Sequence, residues 1–347
     1  MHMADALLSP AVGGAFWAGT AATIGYASKK LKEEPDDRKI PLMGVLGAFI
    51  FASQMINFTI PGTGSSGHLG GGMILAILLG PHAAFLVMAS VLTVQALFFA
   101  DGGLLALGCN IWNLGIYPCC IAYPLVYRPL AGDGGSPRRI FTASLASAVV
   151  ALQLGAFSVV LQTLFSGKSE LPFGTFVLMM QPIHLAIGIV EGLVTAGVVH
   201  YVRSVRPEDL EISVSTGPPP RGGSLRNVLA GFVALAVVTG GALSWFASAY
   251  PDGLEWSIEK ITGKPELPGQ ERGVASTLKR LQERTALLPD YGFKKPEGSP
   301  EDPKEAPSWP SVDAGATVSG LVGGALVLGL ALIIGWAIRA LRGHRDG

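Results

Sequence analysis

Residues 68–100 read HLGGGMILAILLGPHAAFLVMASVLTVQALFFA, and the way this stretch divides sets the topology of all that follows. A bilayer core takes roughly 20 apolar residues per helix, fewer where a segment is short or re-entrant. Divided at Gly80-Pro81, the stretch gives a short span near 70–79 and a full one near 81–100. Without the short span, every later loop would change sides. Working outward by the same rule, further spans fall near 8–28, 41–57, 103–127, 139–165, 173–201, 225–248 and 313–338.

Composition agrees with a chain built for lipid. Hydrophobic residues make up 49% and charged residues 14%, against about 25% charged in a soluble domain. The expected fold class is an all-α integral membrane protein: a bundle of about seven spans plus a two-helix transmembrane unit. Its 347 residues carry no net charge, and the basic ones are scattered at the ends of apolar runs, which argues against a nucleic-acid partner. Cys109, Cys119 and Cys120 lack CxxC spacing and read as small buried side chains. The 46 glycines suit close helix packing and non-helical backbone around a polar cavity.

The polar, Pro/Gly-rich VRPEDLEISVSTGPPPRGG separates a first unit, 1–203, from a second, 225–347, with a linker at 204–224. Orientation follows from Lys and Arg in the short loops. With the N-terminus outside, the inner loops hold Lys29, Lys30, Lys32, Arg38 and Lys39, then Arg128, Arg138 and Arg139, then Arg203, Arg206, Arg221 and Arg226, and lastly Arg339, Arg342 and Arg345. The short outer loops hold only Lys168. The segment 249–312 holds nine more basic residues but is long, and long loops translocate largely regardless of charge. The expectation is N-terminus outside, C-terminus in the cytoplasm, and an extracytoplasmic loop at 249–312.

The opening MHMADALLSP lacks a positive n-region and a usable A-x-A site, so it is expected to remain as the mature outer terminus. A second residue as large as histidine also favours retention of Met1. Met1 and His2 then offer three nitrogens in sequence: the α-amine, the deprotonated amide of His2 and its imidazole Nδ1. Chelation closes a five-membered and a six-membered ring and leaves one corner of a square open. Four nitrogens in a plane suit Ni(II) or Cu(II) and not the tetrahedral preference of zinc.

NFTIPGTGSSGHLGGG supplies a candidate for that corner in His68, on a loop assigned to the same membrane face. The plainer reading makes His2 an exposed terminal histidine and His68 a loop residue bonded to backbone. Asp5 either eases the placement of a dication near the terminus or, more ordinarily, caps the first helix. Asp101 and Asn110 fall near outer span ends, where capping or hydrogen bonding behind the ligands is expected rather than ligation. His184 and Glu191 share one helix face within a span and are candidates for cavity lining or helix docking. His82 and His200 read as structural. With no P-loop, HExxH or GxSxG, neither an energy source nor a hydrolytic centre lies in this chain, so no enzyme activity is expected.

MHMADALLSPAVGG resembles the start of the membrane-embedded M component of nickel and cobalt energy-coupling-factor importers. HLGGGMILAILLGPHAAFLVM and ALFFADGGLLALGCNIWNLG resemble its central helices, and the likeness covers roughly 1–203. The second unit, with PDGLEWSIEK, then LPDYGF, then a last span, is similar to the N component of the same systems. The resemblance implies an M–N fusion that captures metal in a prokaryotic cell membrane. A separate transmembrane coupling subunit of the T/Q type and cytoplasmic ATPases would supply the work. It implies Met1, His2 and His68 as the metal-holding residues, and matches Asp5 without giving it a ligand role. Cobalt-type members tend to open with MHIPDG, whereas MHMADA resembles nickel-type ones, so Ni2+ is the expected cargo and Co2+ the second choice. No resident cofactor is expected. The rivals are a secondary transition-metal transporter, which would need several intramembrane carboxylates where Glu191 is the good one, and a membrane subunit that transports nothing.

Overall fold

Inside lipid each backbone polar group needs an internal partner, so long apolar runs wind into helices. A computed structural model describes all residues except 1, 34–35, 133–135, 168–170, 206–224, 266, 269–272, 295–308 and 344–347. Most of the expected linker, 206–224, therefore lies outside the described residues. The first unit contains α1 (Pro10–Glu33), α2 (Lys39–Gln54), the hairpin strands β1 (Phe58–Ile60) and β2 (Ser65–Gly67), α3 (Gly72–Leu79) and α4 (Pro81–Phe99). These are followed by α5 (Leu107–Ile111), π-helical turns over Trp112–Tyr127, α6 (Arg128–Ala131), α7 (Pro137–Ser166) and α8 (Phe173–Val205). Pro118 and Pro124 lie inside the π-helical stretch, where residues without an N–H fit a loosened ladder.

The break at Gly80-Pro81 is real: Gly80 has φ 81°, which ends α3, and Pro81 opens α4. Alone, α3 rises only about 12 Å, too little for a bilayer. The loop ahead of it dips into the bundle to meet Glu191 midway along α8. Non-helical backbone at such depth is tolerated only when protein encloses it, and Gly70 and all of α3 are buried. Four helices, Pro81–Phe99, Pro137–Ser166, Phe173–Val205 and Ala314–Leu341, are long and apolar enough to cross a membrane, and Lys39–Gln54 and Leu225–Gly241 are shorter apolar helices. The chain is a multi-pass membrane protein.

The second unit is α9 (Leu225–Gly241) and α12 (Ala314–Gly343), with α10 (Gly253–Thr262) and α11 (Val274–Thr285) between them. Small residues let α12 sit closely on its neighbours. A Cβ on Gly323 would overlap the Phe51 ring at 2.0 Å, and one on Gly320 would lie 2.4 Å from the Gly240 carbonyl. The stretch expected as an extracytoplasmic loop, 249–312, holds the helices α10 and α11 among its described residues. Amphipathic α10 and α11 are too short and polar to register as spans, yet they dock on the same end of the bundle as His2 and His68.

Candidate metal centre

Two imidazoles meet at that end. The rings of His2 and His68 stack with centroids 5.0 Å apart. Nδ1 of His68 lies 3.0 Å from the Leu69 carbonyl oxygen, and a carbonyl only accepts, so Nδ1 carries the proton. The lone pair is then on Nε2, which is buried without a hydrogen-bond partner. A buried acceptor left unmatched costs stability, and an imidazole pinned by its other nitrogen is the usual form of a metal ligand.

A chain of amides settles the tautomer of His2. Nε2 of Gln54 donates to the Gly70 carbonyl at 2.8 Å, so its Oε1 is left to accept Nε2 of Gln95, also at 2.8 Å. Oε1 of Gln95 therefore faces Nε2 of His2 at 3.2 Å and accepts its proton. The His2 lone pair is left on Nδ1, 3.5 Å from Oδ1 of Asp101. Burial holds the His2 imidazole below its ordinary range, with Asp101 pulling the other way. Burial, reinforced by the charge of the amino terminus and of His2, brings His68 down to about 3. Both shifts favour the neutral, ligand-competent ring.

The segments carrying these rings are held on several sides. Asn110 accepts the Met3 N–H at 2.8 Å and donates to the Met3 carbonyl at 3.3 Å, which pins the chain beside His2. Asp5 does not cap α1; Ser9 takes that place, accepting the Val12 N–H at 3.3 Å. The Asp5 carboxylate instead accepts the Ala106 N–H at 3.0 Å, against Gly103, where any Cβ would collide with it. Burial raises the Asp5 carboxyl above its usual range. Glu191 holds the His68 loop, accepting the N–H groups of Gly70 at 2.7 Å and Gly71 at 3.1 Å. His184 donates from Nδ1 to the Met180 carbonyl at 2.8 Å and lines a small cavity with His68, Gly67 and Asp252. His82 lies edge-on to Tyr26 at 5.5 Å, and His200 is exposed. Met1, the expected amine donor, lies outside the described residues.

The second unit closes the same end. Ser66 in β2 donates its N–H to the Pro251 carbonyl at 2.8 Å and its hydroxyl to that of Tyr250 at 2.7 Å. Trp256 donates to the Thr63 carbonyl at 3.1 Å. Asp252 caps α10, accepting the N–H groups of Leu254 and Glu255, and Gly253 lets it approach His184 where a Cβ would lie 3.1 Å from the ring. Burial works against the Asp252 anion, but the amino-terminal charge, the Glu255 N–H, His68 and His184 outweigh it and hold the carboxyl below its usual range.

Residues 2–209 match the cobalt uptake substrate-specific transmembrane region. The chain belongs to that family. Beyond the cobalt-uptake region, residues 226–340 match the PDGLE domain, so an M component is fused here to an N component. The chain is similar, at 32% identity over 98% of its length and 99% of the relative's, to the fused nickel transport protein NikMN of Rhodobacter capsulatus. It is 30% identical to the cobalt transport protein CbiM of Sorangium cellulosum over 61% of this chain and 95% of that one. The crystal structure of a truncated transition metal transporter matches with a TM-score of 0.52 and 30% identity, covering 59% of this chain and 99% of that one.

In this cobalt-uptake family member, sequence reasoning missed Gln54, Gln95, Asp252 and Tyr291. Two of them carried a signal: Gln54 ends α2 and Gln95 lies in the last turns of α4, both buried, and a polar side chain kept inside an apolar helix needs a partner. Asp252 and Tyr291 sit in a segment whose docking only the folded chain reveals.

Proposed function

We propose that this chain is the substrate-capture subunit of an ATP-driven nickel importer, with cobalt the second candidate. It would bind Ni(II) at the outer face through the Met1 amine, the His2 amide, His2 Nδ1 and His68 Nε2. The observation that carries this reading is the pair of stacked imidazoles, each bonded through one nitrogen so that the lone pair of the other stays available. Among the described residues no group of three His, Cys, Asp or Glu side chains could hold a metal, so two imidazoles need backbone nitrogens to complete a set. Such a set is planar and suits Ni(II).

Coupling to ATP would come from other subunits. The outward face of α1 carries Gly14, Ala18, Ala21 and Gly25, all exposed, a surface on which a coupling helix could pack closely. A proton-driven carrier is less well supported: Glu191 is the one fully buried acid among the described residues, and both of its oxygens are committed to the His68 loop. The test is Ni(II) titration of purified protein beginning at Met1 against the same protein extended by one residue. The extension should abolish tight binding; unchanged affinity would refute the site. Uptake in cells with and without the ATPases separates importer from secondary carrier.

A further inference from the structure

We propose that Tyr291, on the extramembrane segment of the second unit, is a positioning residue of the capture site: it holds the Asp101 carboxylate against the metal-binding edge of His2. The inference rests on the reading of His2 as a ligand. The Tyr291 hydroxyl donates to Oδ2 of Asp101 at 2.5 Å, a short charge-assisted bond. The other carboxylate oxygen lies 3.5 Å from His2 Nδ1, the His2 side chain being 8% and Asp101 24% exposed. With the proton of His2 on Nε2, two acceptors face each other across that gap. They repel when it is empty and are reconciled by a cation beside them.

Charge counting gives the carboxylate a task. Ni(II) bound through a deprotonated amide keeps one positive charge, and a net charge in a half-buried site is costly unless matched nearby. Asp101 supplies the match without needing to become a ligand. Left alone it could swing to solvent, and Tyr291 prevents that.

The segment is built to hold Tyr291 there. Its ring stacks on Phe99 at 5.1 Å and 19° and meets Phe51 at 6.3 Å. Leu287 and Leu288 donate their N–H groups to the Phe98 carbonyl, at 3.0 and 3.1 Å. Gln282 donates to the carbonyls of Ala96 and Gly102, on either side of Asp101. Asp290 and Tyr291 both take positive φ, 50° and 58°, an uncommon conformation without glycine that persists where surroundings over-determine it. Burial and the neighbouring carboxylate raise the Tyr291 hydroxyl well above its ordinary range, so it remains a donor.

The experiment uses the full chain beginning at Met1, with Tyr291→Phe, Asp101→Asn and the double variant. Phenylalanine keeps the stack on Phe99, and thermal melting of each apo protein checks that the fold is retained. Tyr291→Phe should weaken Ni(II) affinity about 10- to 100-fold through faster release, with the d–d absorption of the saturated site unchanged because the nitrogen donors are the same. The double variant should bind no worse than Asp101→Asn, since Tyr291 acts through Asp101. Affinity of Tyr291→Phe within about twofold of wild type, or losses that multiply in the double variant, would overturn the proposal. Should the one-residue extension leave binding intact, the ligand role of His2 falls and this proposal with it. Should the extension abolish binding while Tyr291→Phe does not weaken it, only the role of Tyr291 falls.

Discussion

Glu191, midway along α8, accepts the backbone N–H of Gly70 at 2.7 Å, two residues beyond His68. With the Gly71 N–H on its other oxygen at 3.1 Å, the carboxylate sets the depth at which the His68 loop rests. Glu191→Gln replaces one acceptor by an NH2 that faces a donor. It should destabilise the protein by about 1–3 kcal/mol and weaken Ni(II) binding. Thermal melting and metal titration read the two effects, and a variant unchanged in both would show that the loop does not depend on this carboxylate.

Gln95→Leu removes the acceptor that keeps the proton of His2 on Nε2. The ring is then free to carry it on Nδ1, where it blocks ligation. Ni(II) affinity should fall about 10- to 100-fold, with His2 still present. Equal affinities by calorimetry would mean that the amide chain does not govern the tautomer.

His68→Phe keeps a ring to stack on His2 but removes the orphaned Nε2. Binding should be lost while stability stays within about 1 kcal/mol of wild type, because the removed nitrogen had no partner and the forfeited bond to Leu69 is a single one. A large drop in melting temperature would instead mark His68 as structural.

Acid should destabilise the metal-free protein through the same residue. His68 is lowered from 6.5 to about 3, so between those values the unfolded chain binds the proton that the folded chain refuses. Its contribution is complete above pH 6.5 and declines as pH falls through that window toward about 3. His2 is shifted in the same direction. Melting temperature followed against pH should slope less steeply in His68→Phe than in wild type.

Much of this was legible in the chain because lipid imposes a simple grammar. Long apolar runs marked the helices, and Gly80-Pro81 marked the break between α3 and α4. His2 stood out because it follows the amino terminus in chelating sequence, and His68 because its Gly/Ser-rich loop was assigned to the same membrane face. Less visible was how the second unit folds over the site. Helix α10 starts at a capping box, Asp252 with Glu255, which a reading tuned to hydropathy passes over. The partnership of Tyr291 with Asp101 spans 190 positions and rests on an unusual turn, so no local pattern announces it. Asp5 misled for a related reason: an acid just ahead of a helix looks like its cap, but Ser9 is nearer the first turn, which left Asp5 free to grip Ala106.

The amide chain from His2 through Gln95 and Gln54 ends on the carbonyl of Gly70, the residue whose N–H rests on Glu191. The terminus and the loop are thereby two jaws of one clasp. If the loop withdraws, Gln54 loses its anchor, Gln95 is free to turn, and His2 loses the bond that holds its Nε2. Under the proposed function, a displacement of the loop would therefore disturb both ligand-bearing segments together.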